Sequence, residues 1–215
     1  MQIIYLVFFS IFFLYLSFKV STKFNFFDIP DNEKIHKEII PNLGGLALIP
    51  FILLMFYFFD YSQNISITLS LFFIVIIIGL IDDIKDINPE LKLLALFIPI
   101  YIFTKDVGTV KSLGLYLEHE ISLGSLNFIF TVLCIMLLTN AYNYIDGLDG
   151  LLAINVIITF LTFYFLINDE KNIFFPLIIF FIVYFLFNIN FLKFFPKQFI
   201  GDSGSLGVGF LISTF

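Results

Sequence analysis

The chemistry open to this sequence rests on five aspartates: Asp82 and Asp83, Asp146 and Asp149, and Asp202, each at an end of a long apolar stretch. A carboxylate costs roughly 2.5–3.5 kcal/mol or more at a bilayer centre, so acids gathered at segment ends predict a polar site at one membrane face. In Gly79-Leu-Ile-Asp-Asp-Ile-Lys85 the paired acids close an apolar run. At a helix C-terminus they oppose the dipole and call for a cation. A divalent metal, free or bound to substrate, is one such cation, and Lys85 one turn on could meet a phosphate. Asn140-Ala-Tyr-Asn-Tyr-Ile-Asp-Gly-Leu-Asp-Gly-Leu151 is the strongest element. Asn143 and Asp146, spaced i, i+3, would share a helical face. Oxygen-only donors of this kind suit Mg²⁺, which keeps waters and shares its shell with phosphates. Phe199-Ile-Gly-Asp-Ser-Gly-Ser-Leu206 adds Asp202, and Asp202 or Ser203 is expected to cap the helix that follows. A Ser-His hydrolase is excluded, because the two histidines, His36 and His119, fall on opposite sides of the membrane in the topology below.

The elements that must position these groups are membrane helices. With 60% hydrophobic and 13% charged residues and a mean hydropathy of +1.04, the chain lacks the polar surface to coat a soluble globule. Apolar segments fall at about 3–18, 46–59, 67–81, 91–103, 126–142, 151–167, 173–192 and 203–215. The fold class expected is therefore all-α: a polytopic transmembrane bundle of about eight helices in one membrane-embedded domain spanning 1–215. The last segment is too short to span, or the chain is cut short there. Lysine placement orients the bundle. With the amino terminus outside, inner loops hold Lys19, Lys23, Lys34, Lys37, Lys85, Lys92, Lys193 and Lys197, and outer ones hold Lys105, Lys111 and Lys171. All five aspartates then lie on the inner face. The first apolar stretch has no basic residue ahead of it, so it reads as a retained helix rather than a signal peptide. The outer connection 104–125 carries turn signals around Gly108 and Gly114, which predict a small hairpin.

A net charge of −6 argues against nucleic acid as a partner, since phosphate neutralisation needs clustered Lys or Arg. The lone Cys134 excludes a disulfide framework and a thiolate metal site. A transporter would string its acids along a path near the midplane, whereas these lie at one face. A catalytically silent membrane subunit or a degenerate gene remnant is a further alternative.

Taken in order, Asp28-x-Pro, Lys34-x-His36, Pro41-x-x-Gly44-Gly45, the Asp82-Asp83-Ile-Lys-Asp86 stretch, Asn140–Leu151 and Phe199–Ser205 resemble the polyprenyl-phosphate N-acetylhexosamine-1-phosphate transferase family, in particular its N-acetylglucosamine-1-phosphate branch. The resemblance implies transfer of a sugar 1-phosphate from a UDP-N-acetylhexosamine to polyprenyl (undecaprenyl) phosphate with release of UMP. The product would start a cell-wall or surface-glycan lipid intermediate at the cytoplasmic face of a bacterial inner membrane. It implies Mg²⁺, or Mn²⁺ in its place, and allows a homodimer. Carried over by motif, Asp202 would be the leading metal ligand and Asn143 the second. Asp82 would be base or nucleophile and Asp83 its phosphate-orienting neighbour. Lys85, Asn140, Asp146, Asp149 and His36 would contact substrate. The chain departs from the family at Glu33 and Asn42, where Arg is usual, and in the lengthened Asn190–Lys197 stretch. The resemblance also implies further helices and a later histidine-bearing inner loop beyond Phe215.

Overall fold

The computed structural model describes residues 2–30, 38–167 and 171–215. Eight α-helices follow in order, close to the apolar segments: α1 Gln2–Phe24, α2 Leu48–Phe58, α3 Gln63–Lys85, α4 Pro89–Asp106, α5 Asn127–Tyr144, α6 Leu151–Leu166, α7 Lys171–Asn188 and α8 Gly201–Ser213. Four apolar stretches are long enough to cross a membrane among the described residues, Gln2–Phe24, Gln63–Lys85, Gly124–Tyr144 and Lys171–Asn188. The protein is an all-α multi-pass membrane bundle. Helix starts follow local chemistry. Ser62 Oγ accepts from Ile65 N at 3.4 Å to open α3, and Asn88 Oδ1 accepts from Glu90 N at 2.9 Å, ahead of Pro89, to open α4. Asp86, left-handed at φ 51°, stops α3, so α3 and α4 are joined by a turn of three residues.

Helix α8 is the axis of the molecule. It has 13 residues, about 20 Å at 1.5 Å per residue, and so falls short of a hydrocarbon core of about 30 Å. Residues Ser203 to Ile212 along it are buried, and it packs chiefly against α3 and α5. Small residues permit that closeness. A Cβ on Gly79 of α3 would lie 2.5 Å from the Asp202 carbonyl oxygen and from Ser203 Cα. The same continuous core is aromatic around α7, where Phe180 meets Phe51 of α2 at 4.8 Å and Phe174 meets Phe215, just past α8, at 4.9 Å.

Two small ribbons complete the fold. β1 Phe27–Asp28 pairs antiparallel with β2 Ile40–Pro41 beside the site. β3 Ser112–Tyr116 pairs with β4 His119–Ser122, which is the hairpin expected at 104–125. Its tip is Leu117-Glu118, at φ 47° and 67°, rather than either glycine. Gly114, at φ 98°, sits inside β3 where the strand register shifts.

Candidate active site

The N-terminus of α8 organises the site. A helix leaves its first N–H groups without internal partners and carries partial positive charge there. Three of these donors are met by carboxylates from elsewhere: Gly201 N donates to Asp146 Oδ2 at 3.0 Å, Asp202 N to Asp83 Oδ1 at 2.8 Å, and Ser203 N to Asp83 Oδ2 at 3.1 Å. The expectation that Asp202 or Ser203 is the N-cap is corrected. The helix starts at Gly201, so both lie inside its first turn, and Asp83 of α3 and Asp146 of the 145–150 turn cap it across space. Position 201 has φ +74° and a Cβ there would stand 2.9 Å from both Asp83 carboxylate oxygens, which only glycine tolerates. Capping from a distance frees the Asp202 side chain.

That side chain joins an ion-paired cluster. Lys92 Nζ donates to Asp82 Oδ2 at 2.5 Å and to Asp202 Oδ2 at 2.7 Å, with side-chain exposures of 17% for Lys92, 5% for Asp82 and 32% for Asp202. Asp82 Oδ1 accepts from Ile87 N at 2.7 Å. Asn143 Nδ2 donates to Asp202 Oδ1 at 2.8 Å and to Ser205 Oγ at 2.9 Å, and Ser205 Oγ donates to the Gly201 carbonyl at 2.9 Å. The cation that the paired acids demand is thus partly internal: Lys92 for Asp82, and the positive end of α8 for Asp83. Lys92 counted in the sequence only as a topology marker. The signal that could have found it is the tight 86–88 turn with Pro89 at the first helical position, which brings the first turn of α4 back over the end of α3.

Two cavities meet at this cluster. A polar one of about 210 Å³ is lined by Asp28, Asn42, Asp83, Asp146, Gly201 and Asp202. Within this part of the molecule Asp146 Oδ1 and Asn42 Oδ1 are buried without a hydrogen-bond partner. Burial, reinforced by the charge on Asp83, raises the Asp146 carboxyl well above the usual carboxylate range. An apolar groove of about 460 Å³ runs between α4 and α5, lined by Leu93, Leu133, Met136 and Leu137, and ends on Lys92, Asn140 and Asn143.

Those expected site residues that the structure describes separate into three groups. Asp82, Asp83, Asp146, Asp202 and Asn143 are brought together. Lys85 borders an open solvent-facing hollow with Asp82, Asp83 and Asp86, and Asn140 lines the groove with its Nδ2 donating to the Met136 carbonyl at 2.8 Å. Asp149 stands apart, paired with Lys197 at 2.6 Å. His36 lies outside the described residues. Asp28 and Asn42, seen in the sequence only as parts of loop motifs, line the polar cavity.

A cation fits the donor set, which is all oxygen: Asp202, Asp146 and the side-chain carbonyls of Asn42 and Asn143. Among the described residues no three acidic, His or Cys side chains converge closely enough to hold a metal alone. Any ion held there, Mg²⁺ included, would have to complete its shell with water and phosphate oxygens.

Comparison with known proteins places the chain. Residues 64–215 match the model of glycosyl transferase family 4. A probable undecaprenyl-phosphate N-acetylglucosaminyl 1-phosphate transferase of Bacillus subtilis is 30% identical over 200 residues, covering 91% of this chain and 56% of the relative. Undecaprenyl-phosphate alpha-N-acetylglucosaminyl 1-phosphate transferases of Yersinia pestis and Escherichia coli K12 are each 28% identical, covering 97% and 95% of this chain and 60% and 58% of their own lengths. The chain thus spans under two thirds of these relatives. With the acidic cluster, the matched motifs and the helical membrane fold in agreement, the chain belongs to glycosyl transferase family 4.

Proposed function

We propose that this chain forms the catalytic core of an enzyme that transfers N-acetylhexosamine 1-phosphate from a UDP-sugar to polyprenyl phosphate at the cytoplasmic face of a bacterial inner membrane. The observation that carries the reading is the continuity of an apolar groove with a charged cluster: Lys92 and Asn143 belong to both. A prenyl chain in the groove would bring its phosphate to the Lys92 ammonium. The neighbouring polar cavity is open to a nucleotide sugar. The names of the relatives support the lipid acceptor and the sugar class.

The reaction balances without an added acid or base. An oxygen of the lipid phosphate, already ionised near neutral pH, attacks the sugar-bearing phosphorus of the donor. A P–O bond forms, the bridging P–O bond to the uridine phosphate breaks, and UMP leaves with the electron pair. Joining two anions requires charge neutralisation and alignment, and preorganised positive groups provide both. Lys92, its ammonium fixed by Asp82 and Asp202, would donate a hydrogen bond to the acceptor phosphate and align it. Mg²⁺, held by Asp202 with Asn143 and Asp146 at hand, would screen the donor phosphates. Asp82 is engaged by Ile87 N and by Lys92, which suits orientation of the lysine better than nucleophilic attack. Membranes containing the chain, given polyprenyl phosphate and a panel of UDP-N-acetylhexosamines, are expected to release UMP only when both substrates are present. Release that ignores the lipid, or none with any sugar, would overturn the reading.

A further inference from the structure

A buried amide behind the site connects the turn that carries Asp146 to the segment that leads into α8, whose first turn carries Asp202. Asn188, the last residue of α7, is 2% exposed. Its Oδ1 accepts from Gly150 N at 2.5 Å, and its Nδ2 donates to the Gln198 carbonyl at 3.2 Å and to the Tyr184 hydroxyl at 3.1 Å. Gly150 closes the turn that bears Asp146, and Gln198 precedes Asp202 by four residues. Each end is fixed in turn. Gly150 has φ +76° and opens α6 without a side-chain cap. Gln198, fully buried, donates from Nε2 to the Leu14 carbonyl at 3.1 Å and accepts from Ser17 Oγ at 3.3 Å, which ties it to α1. The next residues are stitched to the Pro41–Gly45 loop, with Phe199 N donating to the Pro41 carbonyl at 2.8 Å and Gly44 N to the Phe199 carbonyl at 3.0 Å. An amide can accept from one loop while it donates to the other.

We propose that Asn188 is a positioning residue: its side chain holds the 145–150 turn against the segment entering α8 and thereby sets the separation of Asp146 from Asp202. It touches no substrate. The proposal rests on the transferase reading for its kinetic arm only. With Cys134→Ser as background, spin labels at Leu148→Cys and Phe194→Cys, which are 37% and 80% exposed, report the loop-to-loop distance in the full chain. Asn188→Leu is expected to replace one narrow distance by a broad distribution. Asn188→Asp, which keeps the shape and the bond to Gly150 but offers at most one O–H in place of the two N–H donors used on Gln198 and Tyr184, is expected to broaden it less. In both, kcat per folded molecule should fall at least tenfold and about threefold respectively, with KM for the UDP-sugar within threefold of the parent. Asn155→Leu, which removes an exposed amide bonded within its own helix, should change neither readout. An unchanged distance, or an unchanged kcat despite a broadened one, overturns the proposal. So does failure of both Asn188 variants to fold, which would assign the residue to folding alone. If the parent chain releases no UMP, the transferase reading fails by itself and the distance arm decides the positioning role.

Discussion

Replacing Lys92 by Met tests how much of the site depends on one internal cation. Two carboxylates share this ammonium at 2.5 and 2.7 Å, and the side chain of Asp82 is 5% exposed. Methionine preserves most of the stem volume, so the change removes charge more than packing. Losing one partner of a buried ion pair costs about 3–5 kcal/mol. Asp202 keeps its bond from Asn143, Asp82 keeps its bond from Ile87, and Asp202 is 32% exposed, which bring the expected loss to about 2–3 kcal/mol. Adding Asp82→Asn to Lys92→Met removes the stranded charge and should restore at least half of that loss. Turnover should not return with stability, because the group proposed to meet the acceptor phosphate is still gone. Loss of one preorganised donor costs about 10²–10³ in rate. Thermal unfolding in detergent, followed beside UMP release per folded molecule, separates the two effects. A Lys92→Met protein within about 1 kcal/mol of the parent and within threefold in turnover would refute the reasoning, as would recovery of turnover in the double variant.

Three further outcomes follow from the same geometry. Gly79→Ala puts a methyl group 2.5 Å from the α8 backbone, so the midpoint of thermal unfolding should drop by the equivalent of about 1–3 kcal/mol; an unchanged midpoint would mean that α3 and α8 are not in close contact. Asp146 has its carboxyl pKa raised in the folded protein, so its contribution to stability is complete below the unfolded value and is lost as pH rises through the folded one. Asp146→Asn, which can still accept from Gly201 N, should therefore gain stability relative to the parent as pH rises from 4 to 8 in a melting series; a relative loss over that range would contradict the assignment. Leu137→Trp, at an exposed position lining the groove, should raise KM for polyprenyl phosphate at least fivefold while leaving KM for the UDP-sugar within twofold, and equal changes in both would remove the groove as the lipid path.

Much of the architecture was legible because membrane helices announce themselves through length and apolarity, and the eight segments became eight helices. The convergence of Asp82, Asp83, Asp146 and Asp202 was legible too, because lysine counting put their segment ends on one side. What stayed hidden depends on pairing across distance. Asp83 and Asp146 cap a helix more than fifty residues away in sequence, and no local capping pattern reports that. Lys92 sits in the first turn of a helix, where a lysine carries the same topological signal whether it faces water or two carboxylates. Asp149 shares its motif with Asp146 but points to Lys197, a partner in the altered stretch that the motif does not describe. The hairpin turns at Leu117-Glu118, two residues with positive φ, whereas the glycines nearby suggested a turn at Gly108 or Gly114.

UMP release by membranes holding the 215-residue chain, with polyprenyl phosphate and UDP-N-acetylhexosamine, measured as a function of Mg²⁺ beside Asp202→Asn and His119→Ala, decides whether the cluster at α8 is an active site. His119 lies exposed in the β3–β4 hairpin, away from the cluster. Release is expected to depend on Mg²⁺, to be abolished by Asp202→Asn and to be left intact by His119→Ala. Release that survives Asp202→Asn, or that falls equally in both variants, would contradict that assignment.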